Sequence, residues 1–305
     1  MTTAKDVSIL GLGDMGSAIA RVMLKNGWKT KVWNRTASKA TPLIEQGATV
    51  AGSVAECIAA SPVTLCCLLT PAAVQDVLRT IDNASAAGRI LVDYTSGARD
   101  QIQQCANMAE GLGMSGFVRG MIATTPRYLG NNEIRVFYSG ASQDVFDSAL
   151  EHLGPLGRSV YLGTDVAAAS LLESTVATSF FCFASGIVQS MAMIQKSGLW
   201  ECQSAQKLVE EAIGPLCRTV YASFAAETAE LVDNGRFIGD GDSLRLDTLQ
   251  SALNSLTKTT AGLGVSPMML LPLKELVDKR VGEGGAAEVV SALVHAIGAS
   301  GDRSS

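Results

Sequence analysis

Apolar residues in the first half of the chain gather in short runs, each followed by turn residues or by a stretch with apolar positions at helical spacing. Residues 6–10 (DVSIL), 30–34 (TKVWN), 63–69 (VTLCCLL), 90–93 (ILVD), 134–138 (IRVFY) and 159–162 (SVYL) read as strands. A helix is expected from about Met15 to Lys25, and another ends before Gly47. Short apolar strands alternating with helices are the pattern of a parallel sheet covered on both faces, so this half is assigned to the α/β class as a doubly wound sheet. After Gly163 the strand-like runs vanish, and apolar positions recur at helical spacing as far as Ile297. The second half therefore reads as all-helical. A chain of 305 residues suits two domains, here 1–163 and 164–305.

Residues 166–195 contain no proline and a single glycine. One helix of about 30 residues, about 45 Å long, is predicted there, with 164–195 bridging the domains. It has the length of a membrane span. Serine and threonine interrupt it, however, and it lacks flanking Lys/Arg clusters and an aromatic belt, so a buried inter-domain helix is expected instead. Between Asp165 and Lys196 its only carboxylate or base is Glu173. A lone charge in such a setting is costly unless it is paired or used. Two readings stand open: a proton donor or counter-ion in a site, or a carboxylate paired with an unidentified arginine or capping a neighbouring helix.

Composition narrows the function classes. Hydrophobic residues make up 47% and charged residues 17%, which supplies a large core and leaves little wet surface, so an oligomer is expected. A net charge of -5 gives no basic footprint for nucleic acid or an anionic membrane and points to a small-molecule partner. The N-terminal residues show no basic region leading into an apolar core and cleavage site, so no signal peptide is expected. Seven cysteines without CxxC or Cys/His ligand spacing read as reduced, buried thiols of a cytoplasmic protein, with no metal site. His152 and His295 are too isolated for a triad or a metal centre.

The chemistry concentrates at strand ends. Gly11-Leu12-Gly13-Asp14-Met15-Gly16 follows the first strand and opens a helix. Gly11 suits a tight turn, Gly13 a close approach of backbone to a pyrophosphate, and Gly16 close helix–strand packing. The second strand ends in Asn34-Arg35-Thr36-Ala37-Ser38-Lys39, with no carboxylate for a ribose 2'-hydroxyl. Arg35, Thr36 and Lys39 instead suit a 2'-phosphate, so NADPH is the expected cofactor. Leu68, Leu69, Thr70 and Pro71 at one later strand end, and Asp93, Tyr94, Thr95, Ser96 and Gly97 at another, are expected to line the nicotinamide half. A third segment, from Gly120 through Ala123, Thr124 and Thr125 to Pro126, carries small polar residues suited to a ring amide.

GLGDMG, VWNRTASK, LVDYTSG, GMIATTPRYLG, VFYSG with a following Phe146, and LGTDVAAASLLE together resemble the NADPH-dependent imine reductases and reductive aminases of the β-hydroxyacid dehydrogenase superfamily. The resemblance implies a Rossmann domain, a long inter-domain helix and a helical domain similar to the C-terminal one of 6-phosphogluconate dehydrogenase. It also implies a reciprocally swapped homodimer with sites shared between subunits. Glu173 falls where that family commonly has aspartate, Asp93 where it has asparagine, and Thr125 where it has an aromatic residue. The superfamily's hydroxyacid dehydrogenases carry a lysine on the long helix, and this chain has none from Gly163 until Lys196.

The expectation is hydride transfer from NADPH to the carbon of an imine or iminium, with Glu173 as the catalytic carboxylate. Ala123, Thr124, Thr125, Phe180 and Tyr221 are the expected substrate contacts, with Phe181, Phe183, Phe224 and Tyr128 as further candidates. A carbonyl or β-hydroxyacid reductase, and an NADPH-binding protein without turnover, are the alternatives.

Overall fold

The computed structural model describes residues 5–198, 205–238 and 243–298. Two compact units, Met1–Ser179 and Phe180–Ser305, divide inside the long helix.

The first unit is built on an eight-stranded sheet: β1 (Asp6–Leu10), β2 (Lys29–Trp33), β3 (Thr49–Val50), β4 (Val63–Cys66), β5 (Ile90–Asp93), β6 (Gly116–Ile122), β7 (Arg135–Ser139) and β8 (Arg158–Tyr161). The spatial order is β3-β2-β1-β4-β5-β6-β7-β8. All neighbours are parallel except β6 and β7, which run antiparallel. The expected doubly wound parallel sheet is therefore present, with that one antiparallel pair near its edge. Strands buried on both faces read as apolar runs whichever way the neighbour points.

Alternation along β1 feeds two cores. Val7 and Ile9 join Ile19 and Met23 of helix α1 (Asp14–Lys25) on one face, while Leu10 joins Val74 and Ile102 on the other. Each such fully buried side chain contributes about 1.5–3 kcal/mol.

Three strand expectations change. β3 is two residues long and leaves no periodic signal. Of β6 only the end, at Gly120 to Pro126, was expected, because GFVRGMI carries two glycines and an arginine, residues that packing must justify individually. Packing does so at Gly120, where a Cβ would lie 2.4 Å from the Tyr94 ring, and at Gly116, where it would lie 2.4 Å from Val145. β4 stops at Cys66 rather than Leu69, since the Leu68 N–H leaves the ladder and donates to the Thr95 hydroxyl at 3.1 Å.

The long helix runs from Ala168 to Lys196. Asp165 starts it, accepting at Oδ1 from the Ala167 N–H at 2.9 Å and at its carbonyl from the Ala168 N–H. It is long and apolar enough to cross a membrane by length and composition, and its most apolar window is not buried within the chain. Leu171, Phe181 and Val188 are 70%, 67% and 62% exposed, so the expected burial is not provided by a single chain.

In the second unit the helices Val220–Asp233, Leu246–Gly262, Leu271–Arg280 and Leu293–Gly298 follow one another, and the last three bury Leu246, Leu253, Val277 and Leu293 together. The only strand-type pairing among its described residues is the bridge between Arg245 and Val289.

Cys57, Cys66 and Cys105 are buried free thiols; burial pushes Cys57 to about 12 and Cys105 to about 11. Cys182, on the long helix, is exposed, against the expectation of buried thiols. Cys202, the first four residues and the C-terminal GDRSS lie outside the described residues.

Candidate active site

β1, β4 and β5 are parallel neighbours, so the turns that follow them share one edge of the sheet, the edge where such folds bind ligands. Gly11 sits there at φ +94, and a Cβ on it would lie 2.3 Å from the Cys67 carbonyl oxygen. A Cβ on Gly16 would lie 2.1 Å from the Gly11 carbonyl oxygen. Both glycines are therefore demanded by the turn itself. Gly13 is different: its φ is -72 and nothing lies within 4 Å of the Cβ it lacks. The fold does not need glycine there, whereas a ligand lying against the backbone would.

As N-cap of α1, Gly13 offers no side-chain cap. The N–H groups of Gly13, Asp14 and Met15 find no acceptor among the described residues. Free donors at a helix N-terminus form an anion site. Leu12 is buried and donates its N–H to Asn34 Oδ1 at 3.0 Å, while Asn34 Nδ2 donates to the Thr36 carbonyl at 2.9 Å. Asn34 thus ties the end of β2 to the glycine turn rather than projecting at a ligand. Beyond it Arg35, Thr36 and Lys39 are exposed, and neither Arg35 nor Lys39 enters an ion pair among the described residues. These residues fit an adenine dinucleotide with a 2'-phosphate: donors for the pyrophosphate on α1 and two unengaged cations beside the ribose position.

Two expected cofactor residues, Asp93 and Thr95, have side chains engaged within the fold. Asp93 is fully buried, its Oδ1 accepting from the Thr95 N–H at 2.9 Å while Oδ2 has no partner. Burial pushes its carboxyl above the usual range, opposed by Arg119 nearby. Thr95 is 1% exposed, with its hydroxyl committed to Leu68. Both side chains brace the turns from below. Leu69, by contrast, is 91% exposed at the same edge.

Glu173 lies at this edge too, because the first turns of the long helix pass over β5 and β6. Its Oε1 accepts from Ser96 Oγ at 2.5 Å, just past the end of β5. Its Oε2 accepts from Arg119 Nη2, and its side chain remains 28% exposed. Arg119 stands in the middle of β6 and is fully buried. Its Nε donates to Ser170 Oγ at 3.0 Å and its Nη1 to the Asp93 carbonyl at 2.9 Å and the Gly120 carbonyl. The arginine that the sequence left unidentified is therefore Arg119, and Glu173 is not a lone charge. The same logic that singled out Glu173, a charge inside an apolar run, could have found Arg119 between Val118 and Met121.

The remaining candidates separate. Ala123, Thr124 and Thr125 follow β6, parallel to β5, and so share this edge, with Ala123 and Thr125 exposed. Tyr128 is exposed, with Arg127 over its ring at 5.7 Å. In the second unit Phe180 meets Phe181 edge-on at 5.7 Å, and Tyr221 meets Phe183 at 6.3 Å. Phe224 is 39% exposed. His152 packs on Trp28 at 4.6 Å with its pKa lowered by burial, and His295 packs on Phe237.

Comparison with known proteins adds family to this geometry. Residues 6–163 match the NAD binding domain of 6-phosphogluconate dehydrogenase, and residues 165–299 match the NADPH-dependent reductive aminase-like C-terminal domain. The chain is similar to an NADPH-dependent reductive aminase of Aspergillus oryzae, at 33% identity over 95% of this chain and 96% of that protein. It is also similar to glyoxylate/succinic semialdehyde reductase 1 of Arabidopsis thaliana, at 30% over 64% of this chain and 68% of the relative. Among solved structures, a reductive aminase from Aspergillus terreus in complex with NADPH4, cyclohexanone and allyl amine superposes with a TM-score of 0.88. Its identity is 31%, covering 97% of this chain and 100% of that one.

Proposed function

The chain belongs to the NADPH-dependent reductive aminase family, and from that membership we propose that it reduces C=N bonds, formed in place from a ketone and an amine or supplied as imines. The observation that carries this reading is a carboxylate, Glu173, held partly buried at the ligand-binding edge of a dinucleotide fold. When bound, NADPH supplies a hydride from its nicotinamide ring. The chain's own work is to orient the C=N carbon and stabilise charge on its nitrogen. Gly13, Asp14 and Met15 hold the pyrophosphate, and Arg35, Thr36 and Lys39 hold the 2'-phosphate.

A substrate panel tests this. NADPH is expected to be consumed with cyclohexanone plus allyl amine and with 1-pyrroline, and far more slowly with the ketone alone or, in reverse, with a β-hydroxyacid. Consumption by ketone alone at the same rate would make the protein a carbonyl reductase, and none with any C=N compound would leave an NADPH-binding protein without turnover.

The exposed apolar side chains of the long helix, including Leu171, Val176, Phe180, Phe181 and Val188, support a second copy of the chain as its cover. Light scattering is expected to give twice the 31.8 kDa of one chain. A charge introduced at Val188 (V188D) should shift that mass toward one copy; an unchanged dimer would mean that another surface pairs.

A further inference from the structure

The first turn of α1 carries a charge that its own helix does not use. Asp14 stands at the first helical position, exposed, and its side chain enters no hydrogen bond and no ion pair among the described residues. Elsewhere the fold ties such acids down. Glu56, in Val54–Ala59, accepts from the Gly52 N–H at 2.7 Å and pairs with Lys31 at 2.9 Å. Asp247, in Leu246–Gly262, pairs with Arg245 and accepts from the Thr248 N–H at 2.7 Å. Asp14 does neither.

It does not cap α1 either. Capping carboxylates stand at the N-cap or at the third helical position, whereas the N-cap here is Gly13, with no side-chain cap. The N–H groups of Gly13, Asp14 and Met15 therefore stay free for an anion. One of those three donors belongs to the residue that carries the negative charge. No base among the described residues answers it: Arg35 and Lys39 at the end of β2 enter no ion pair, and Arg119 is committed to Glu173. In the free protein a carboxylate there suits the positive end of the helix dipole. With a pyrophosphate on the same donors it shares the helix end with two charges of its own sign, and like charges disfavour one another.

We propose that Asp14 is a brake on cofactor affinity: its N–H helps to hold the pyrophosphate while its carboxylate weakens that hold. Neither NADPH nor NADH then binds tightly through the pyrophosphate alone. The contact of Arg35, Thr36 and Lys39 with the 2'-phosphate decides which of the two is held usefully. Asp14 lowers both affinities and leaves their ratio unchanged, so it sets the level at which the ratio matters. The same repulsion speeds the departure of NADP+. The inference rests on the dinucleotide reading of this edge and needs no assumption about the substrate.

Calorimetry of NADPH, NADP+ and NADH with wild type, Asp14→Asn and Asp14→Ala tests this, and melting curves of the free and NADPH-bound proteins add a readout without turnover. Both variants are expected to lower Kd for all three cofactors by about five- to tenfold, with the NADPH to NADH ratio kept within about twofold. That gain should shrink as salt rises from about 0.05 to about 0.5 M, because exposed charges are screened. The melting curves should move in opposite directions. Free Asp14→Asn should melt lower than wild type, having lost a charge that suits the helix end, yet gain more from added NADPH. Stopped-flow release of NADP+ should slow by the same factor as Kd. Asp144→Asn, which removes a first-turn carboxylate from Gln143–Leu153 at the opposite edge of the sheet, should change none of these constants. Unchanged or weaker binding in Asp14→Asn would overturn the proposal. A gain in Asp14→Asn with Asp14→Ala at wild-type affinity would overturn it as well, since a new amide hydrogen bond would then be the cause. So would an affinity that rises with magnesium chloride in wild type alone, which would make the carboxylate a cation ligand. Wild type without measurable affinity for any of the three would instead sink the dinucleotide reading itself.

Discussion

Glu173→Gln is expected to lower kcat/KM for a neutral cyclic imine by about 10²–10³-fold, the usual cost of removing one group that stabilises charge at a reacting centre. Shape is preserved, so the loss reports charge. The amide oxygen can still accept from Arg119 or from Ser96, but Arg119 is left as a fully buried cation without its direct counter-charge. That should cost about 1–3 kcal/mol of stability, less than deleting the partner outright, because an acceptor remains in place. Activity must therefore be read beside a melting curve and NADPH affinity. Intact affinity with lost turnover assigns the effect to chemistry, whereas near wild-type turnover would remove Glu173 from the mechanism. Glu173→Asp keeps the charge but draws it back by one methylene, away from one of its two donors. It should recover part of the activity.

The Glu173 site was half legible in the sequence, and the reason lies in what periodicity can report. A single carboxylate in an apolar helix is visible because burial without pairing is so costly. Its partner is 54 residues away in β6, and nothing in hydrophobic spacing says which helix turn will cross which strand. β6 itself was obscured, since Gly116 and Gly120 lower strand propensity while serving close contacts with Val145 and Tyr94 that only the folded chain displays. The direction of the Asp93 side chain was hidden for a related reason. A polar residue ending an apolar strand looks the same whether it turns outward to a ligand or inward beneath the turn, and here it turns inward. The glycine turn was legible in full because its residues are contiguous. Gly11 and Gly16 answer to the chain's own backbone, whereas nothing in the fold demands glycine at Gly13, a distinction the motif alone does not draw. The apolar character of the long helix was equally plain. Whether a single chain covers it was not, and the exposed Leu171, Phe181 and Val188 show that it does not.

Arg35→Ala is expected to raise KM for NADPH by about 10–100-fold while leaving NADH use unchanged, since a hydrogen bond to a charged group contributes about 1.5–3 kcal/mol. The structure makes this a clean experiment. Arg35 and Lys39 are exposed and enter no ion pair among the described residues, so removing either leaves no stranded partner and costs the fold little. The two cations should not contribute equally. A guanidinium can grip two phosphate oxygens at once, whereas an ammonium acts as a point charge, so Arg35→Lys should lose part of the affinity even though the charge is kept. Lys39→Ala should lose less than Arg35→Ala, and the double variant less than the sum, because both side chains answer to the same phosphate. Equal wild-type KM values for NADPH and NADH would remove the phosphate role from this loop. Salt supplies the last discrimination: an exposed ion contact is screened over about 8 Å at physiological ionic strength, so added salt should erode the preference for NADPH in wild type. In Arg35→Ala, with most of that contact already gone, the same salt should change much less.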